Sequence, residues 1–296
     1  MVPGMTDLAS RLNRPSVLRS LRLGDDITVT YLPDGAGELR PRGWLPATTD
    51  EDWAAHPQYL DANGNLVASM GALLVEHGDR AMLIDSGFGP HTMEAPDEDG
   101  PIGSISAGAL LESLAAAGRA PHEIEAVAIT HLHPDHIGWA VTAAPGEDEP
   151  PFVKADYLMA EDEWNHRHLV EATPQEALDV LAPRVRTVAD GEEIFPGVRV
   201  MLTPGHTAGH AAYVVTGSER RLIAFGDALH SPVQVDHPEW SAVVDHDPVQ
   251  SAGHRRRLVD ELAQPGTVGF GVHFADVVFG RVQRDGDGPA WRPVDA

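Results

Sequence analysis

Cysteine is absent from the 296 residues. That excludes disulfides, thiolate metal sites and cysteine nucleophiles, and leaves imidazole and carboxylate as the side chains able to hold a transition metal. Lysine is nearly absent too. Lys154 is the single one, and Lys+Arg 21 against Asp+Glu 45 gives a net charge of −24. Such a balance repels phosphate backbones and anionic headgroups, so neither nucleic acid nor membrane is expected as a partner. No stretch approaches the roughly 18 apolar residues of a membrane-spanning helix. The opening MVPGMTDLASRLNRPSVLRSLRLG lacks the apolar core of a signal peptide. These absences describe a soluble, cytoplasmic protein acting on a small molecule.

What is present reads as one domain over 1–296, with residues 1–57 as an N-terminal arm. The arm is locally basic, with six arginines against five acids in residues 1–45. No low-complexity tract or long linker interrupts the chain. Strand and helix patterns alternate, giving an α/β class. Gly71–Gly87 and Ala211–Asp227 read as two hairpins, each ending on an aspartate beside glycine, which suggests a duplicated half-unit. Ser106–Arg119 has helical periodicity. Thr173-Pro174-Gln175-Glu176 reads as a capping box opening a helix to about Leu181, and Asp247-Pro248 opens another to about Ala263. Ala126–Thr130, Val198–Leu202 and Thr267–Phe274 are expected strands. Residues 88–104, rich in Gly and Pro, are expected to form a mobile lip.

The first expected core strand of these three runs into HLHPDH, His131 to His136. In an extended segment, side chains at i and i+2 point the same way, so His131 and His133 can converge. Pro134 keeps His133 extended and suits the first turn of a helix, which puts Asp135 and His136 past a bend. A metal needs three or four ligands, and further candidates stand where turns follow strands. These are His206 in TPGHTAGH, Asp227 in FGDALH and His273 in GVHF.

In this order and local context, the seven residues resemble the ligand signature of the metallo-β-lactamase fold hydrolases, over about Gly71 to His273. The resemblance implies a four-layer αββα sandwich and two divalent metal ions, zinc first, with manganese, iron or cobalt suited to the same groups. His131, His133 and His206 would hold one ion, and Asp135, His136 and His273 the other. Asp227 would bridge them. Asp135 is the catalytic candidate for carrying a proton to the leaving group. Asp85 would either accept the second ring N–H of a ligand histidine or cap the turn at Gly87, and Thr207 is a similar supporting candidate. Dimerisation through the arm is implied by the resemblance alone.

Without cysteine, the lactamase classes with a cysteine ligand are excluded. What remains looks most like the lactonase and organophosphate-hydrolase branch, and the segment from Gly226 to Trp240, GDALHSPVQVDHPEW, is similar to the corresponding loop of methyl-parathion-hydrolase-like proteins. The function this implies is hydrolysis of a lactone or carboxylic ester, with phosphotriester and thioester hydrolysis as rivals and an iron oxidoreductase further off. His230 stands where lactonases offer a tyrosine, either orienting substrate or making a structural hydrogen bond. His210 is expected to be a structural partner. Trp139, Trp53, Phe88 and Trp240 are candidate walls of an apolar substrate pocket.

Overall fold

Side-chain alternation along the strands decides the architecture of the computed structural model, which describes residues 8–95, 97, 99–286 and 288–294. The first seven residues of the arm, and Pro96 and Glu98 of the Gly/Pro-rich stretch, lie outside them.

One sheet has nine strands: β1 (Arg19–Arg22), β2 (Ile27–Leu39), β3 (Leu66–His77), β4 (Arg80–Ile84), β5 (Thr92–Met93), β6 (Ile102–Ala107), β7 (Ile124–Ala128), β8 (Asp156–Ala160) and β9 (Val185–Val188). The other has seven: β10 (Glu193–Phe195), β11 (Val198–Leu202), β12 (Ala211–Thr216), β13 (Arg221–Ala224), β14 (Thr267–Phe270), β15 (Phe279–Asp285) and β16 (Gly288–Pro293). In β3 and β4, Leu73, Val75, Met82 and Ile84 face a core shared with Tyr213, Leu222 and Phe270 of the second sheet. Their neighbours Leu74 and Leu83 point the other way. There they meet α1 (Leu110–Ala116), α2 (Pro134–Val141) and α3 (Gln175–Leu181). On the far side Ile223 packs under Leu258 and Leu262 of α4 (Pro248–Leu262). Strands with period two thus bury both faces, one between the sheets and one under helices. The result is the four-layer αββα sandwich.

Each sheet carries the same unit. The antiparallel pair β3–β4 is followed by β7 parallel to β4, and the antiparallel pair β12–β13 by β14 parallel to β13. Asp85 leaves β4 and Asp227 leaves β13 at matching places, so the hairpin likeness extends to topology.

The structure departs from the sequence reading in four places. The helix expected from Ser106 begins at Leu110, because Ile102–Ala107 alternates buried and exposed residues and pairs with β2 as β6. That pairing, and the β5–β6 pair, also places strands inside the stretch read as a lip. The Thr173 capping box does not form: Pro174 is the N-cap residue, in an extended conformation, and the Thr173 hydroxyl donates to the Leu132 carbonyl instead. The last expected strand stops at Phe270, leaving His273 on the loop beyond β14.

Residues 19–39 are woven into the first sheet. β2 runs for 13 residues between β3 and β6, with a register shift between Pro33 and Gly35. That irregularity leaves Asp34 with a carboxylate that accepts from five donors: the N–H groups of Phe88, Gly89, Gly108 and Leu110, and the Trp139 indole. No helix among the described residues is long and apolar enough to cross a membrane.

Candidate metal centre

β7 delivers the chain in extended form to His133, whose φ of −68° and ψ of 151° precede the first turn of α2. His131 Nε2 and His133 Nδ1 lie 2.9 Å apart. His206, on the loop between β11 and β12, brings Nε2 to 3.0 Å from the same His133 Nδ1. Three ring nitrogens therefore point at one place. Asp135 and His136, past the Pro134 bend, meet His273: Asp135 Oδ2 is 3.7 Å from His136 Nε2 and 3.6 Å from His273 Nε2.

Asp227 stands between the two groups and divides its oxygens. Oδ1 is 3.1 Å from His136 Nε2 and 3.0 Å from His273 Nε2. Oδ2 is 3.3 Å from His206 Nε2 and 3.6 Å from His131 Nε2. Each group gathers its donor atoms within 4.8 Å, and all seven residues singled out as ligands are brought together.

The opposite ring nitrogens are held from behind, which fixes the rings before any ligand arrives. His136 Nδ1 donates to Asp85 Oδ2 at 2.8 Å, and His206 Nδ1 to Asp245 Oδ1 at 2.9 Å. His273 Nδ1 donates to the Ser69 carbonyl at 2.8 Å, and His131 Nδ1 lies 3.0 Å from the Thr130 hydroxyl. Asp85 also accepts from the Thr130 N–H, and adopts a φ of +61°, a backbone conformation costly for a residue with a Cβ. The turn at Gly87 is held by Asp34, not Asp85.

The Thr207 hydroxyl does not hold the His206 ring, whose Nδ1 goes to Asp245. That hydroxyl donates to buried Glu163, at 2.6 Å. Glu163 also accepts from the N–H groups of Leu132 and Gly209, so one carboxylate ties the loop of His131–His136 to the loop of His206. His210 is a structural partner: its Nε2 accepts the Asp227 N–H at 3.1 Å, and its Nδ1 lies 2.8 Å from the Thr203 hydroxyl.

Two observations show that these groups suit divalent cations. His136 Nε2 and Asp227 Oδ1 are buried and lack a hydrogen-bond partner, although 3.1 Å apart, because they aim past one another. Around His206 the carboxylates also favour positive charge. Burial opposes protonation of His206, yet Asp227 and Asp245 push it up to about 9. Burial likewise opposes ionisation of Asp227, yet His136, His273 and His230 hold it well below the usual carboxylate range. Burial lowers His133 to about 3, which keeps its ring neutral and its nitrogen lone pair available.

Over the groups opens a cavity of about 670 Å³ reached by Asp135, Asp227, His133, His230 and His273. Its walls are mainly apolar, including Leu39, Met70, Ile105, Ile137 and Val180, and no Lys or Arg is among them. Phe88 lines it, as expected. Trp139 does not: it is buried, with its indole on Asp34, and Trp53 and Trp240 pack together beside the cavity-lining Trp44. Trp44 sets its ring edge-on to His230, 5.0 Å away. His230 Nε2 in turn lies 3.1 Å from Asp227 Oδ2.

Residues 72–268 match the metallo-beta-lactamase superfamily model. The chain belongs to this superfamily. A probable metallo-hydrolase of Mycobacterium tuberculosis is 28% identical over 180 residues, 53% of this chain and 56% of that one. The match thus spans little more than half the length of that curated relative. Metallo-beta-lactamase domain-containing protein 1 of Mus musculus is 27% identical over 239 residues, 79% of this chain and 77% of that protein. The dizinc quorum-quenching lactonase AidC, in complex with a product, shares the fold at 21% identity, with a TM-score of 0.79 over 95% of this chain and 98% of that one. The hydrolase AbOPH does so at 24% identity, with a TM-score of 0.76 over 96% and 99%.

In this superfamily member, three supporting residues were hidden from sequence reasoning: Asp34, Glu163 and Asp245. The partners that matter to the site lie far along the chain: the Phe88, Gly108 and Leu110 amides and the Trp139 ring for Asp34, Thr207 and Gly209 for Glu163, and the His206 ring for Asp245. Asp245 alone left a trace, two residues before the recognisable N-cap Asp247, which accepts from the N–H groups of Val249 and Gln250.

Proposed function

We propose that the protein is a metal-dependent hydrolase of neutral, apolar lactones or carboxylic esters, working with two divalent ions. The observation that carries this reading is Asp227, whose two oxygens address two separate histidine groups at the base of the cavity. His131, His133 and His206 would hold one ion and Asp135, His136 and His273 the other, with Asp227 shared. Zinc suits such imidazole and carboxylate donors, as do manganese, iron and cobalt. The ions would supply Lewis acidity toward a carbonyl and acidify a water at neutral pH.

The chain supplies the rest. His230 fixes Asp227 from the cavity side through Nε2–H, and the apolar walls seat an acyl chain and exclude water. Asp135 is the more open carboxylate of the pair, its side chain 21% exposed against 5% for Asp227. It would take up the proton that the attacking water loses and pass it to the departing alkoxide oxygen. Walls without a cation favour neutral substrates over phosphorylated or carboxylated ones.

The test is a hydrolysis panel of acyl lactones, aryl esters, phosphotriesters and thioesters on metal-quantified protein. Lactones or esters should turn over best, and Asp227→Asn should abolish turnover with the fold retained. A neutral phosphotriester meets the same walls, and preference for it would replace the ester reading. Stoichiometric oxygen uptake would overturn hydrolysis altogether.

A further inference from the structure

Among the described residues, two more histidines and a carboxylate converge at the surface, and none of them lines the cavity. One donor atom from each of His56, Asp236 and His237 lies within 4.8 Å of the others. His56 follows the short helix Asp50–Ala55, whereas Asp236 ends the helical turn Val233–Asp236 beyond Asp227. The two segments are remote in sequence, and only the fold brings them together.

Both rings are prepared alike. His56 Nδ1 lies 2.8 Å from the Asp52 carbonyl, to which it can only donate, so the proton is on Nδ1 and the Nε2 lone pair is free. His237 Nδ1 lies 3.4 Å from Glu239 Oε1, which leaves its Nε2 in the same state. That Nε2 is 3.8 Å from Asp236 Oδ2, too long for a hydrogen bond and suited to sharing a third atom. An oxygen behind each ring and a bare nitrogen in front is how proteins orient metal-binding histidines. The His56 and His237 rings meet edge to face at 5.3 Å, and His237 stacks on Trp240 at 3.9 Å with 6° between planes.

We propose that His56, Asp236 and His237 form a further site for a divalent transition cation of the zinc or copper class, with water completing its coordination. Two neutral imidazoles and one carboxylate select such ions over magnesium or calcium. The ion would staple the N-terminal segment to the stretch after Asp227. Within that stretch the Gln234 side chain already accepts from the His230 N–H and donates to the Trp240 carbonyl.

The experiment strips the full chain with a chelator, reloads it with Zn²⁺ and counts metal per chain. Wild type should take up one more equivalent than His56→Gln, and Asp236→Asn should lose the same equivalent. Hydrolytic turnover should stay unchanged in both. The count is a difference between proteins, so it reads the peripheral site whether the cavity holds one ion or two. In parallel, Cu²⁺ should quench more of the tryptophan emission of wild type than of His56→Gln, which keeps the His237–Trp240 stack, so the difference reads Trp240. Equal metal content in wild type and variants, or quenching untouched by His56→Gln, would overturn the site.

Discussion

His206 and Asp245 are joined across 39 residues, with ring Nδ1 donating to Oδ1 at 2.9 Å and both side chains buried. The other Asp245 oxygen lies 3.4 Å from the Arg255 guanidinium, and the pair holds Asp245 at about 2 against the cost of its burial. Asp245→Asn should therefore weaken metal retention by the His131, His133 and His206 group by about 10–100-fold. Competition with a chelator of known affinity measures it. Arg255 keeps its bonds to the Ala228 and Pro238 carbonyls, so the circular dichroism should not change.

Glu163 accepts from Leu132, Gly209 and Thr207, and so bonds both ligand loops through one carboxylate. Glu163→Ala leaves three buried donors unpaired, and on the order of 3 kcal/mol should be lost in urea denaturation. Glu163→Gln retains part of the acceptor capacity and should cost less. Equal stability of the alanine variant and wild type would show that the loops hold without this tie.

Asp276 should contribute acid sensitivity away from the metal centre. Burial opposes its ionisation, but hydrogen bonds from Arg19 and Arg14 hold it below the usual aspartate range. A depressed folded-state pKa means stability present above about pH 4 and lost as pH falls through the lower folded value. Denaturation midpoints of wild type and Asp276→Asn should differ at pH 7 and converge as pH falls below the depressed folded-state value. A gap that stays constant with pH would refute the assignment.

Val180 lines the cavity from α3 and is partly exposed, so a larger side chain fits there without disturbing the buried core. Val180→Trp should raise KM for long-chain acyl substrates by about tenfold while leaving short-chain ones near wild type. A uniform change across chain lengths would place the acyl chain elsewhere.

How much could be read beforehand depended on where each residue's partner sits. The ligands were legible because extended strands followed by turns fix side-chain direction locally, as at His131, His133 and Pro134. The walls and supports were not. Asp34 lies in a proline-interrupted stretch that hides the 13-residue β2, and its five donors come from three other segments. Trp139 looked like a pocket wall, yet helix α2 turns it inward onto that same aspartate. Ser104, Ile105 and Ser106 carry period two within an alanine-rich run whose leucines carry the helical period, and the strand ends where Gly108 takes a φ of +127°.

The division of ligands between the two sheets has a mechanical side. His131 to His136 hang from the first sheet, whereas His206, Asp227 and His273 hang from loops of the second. A cation in either group is thus a rivet through the seam of the sandwich. Loading the site should couple the halves and slow their separation. Stripping it would leave the halves joined by their shared apolar core and by ties such as the Glu163 carboxylate and the bond from His273 to the Ser69 carbonyl.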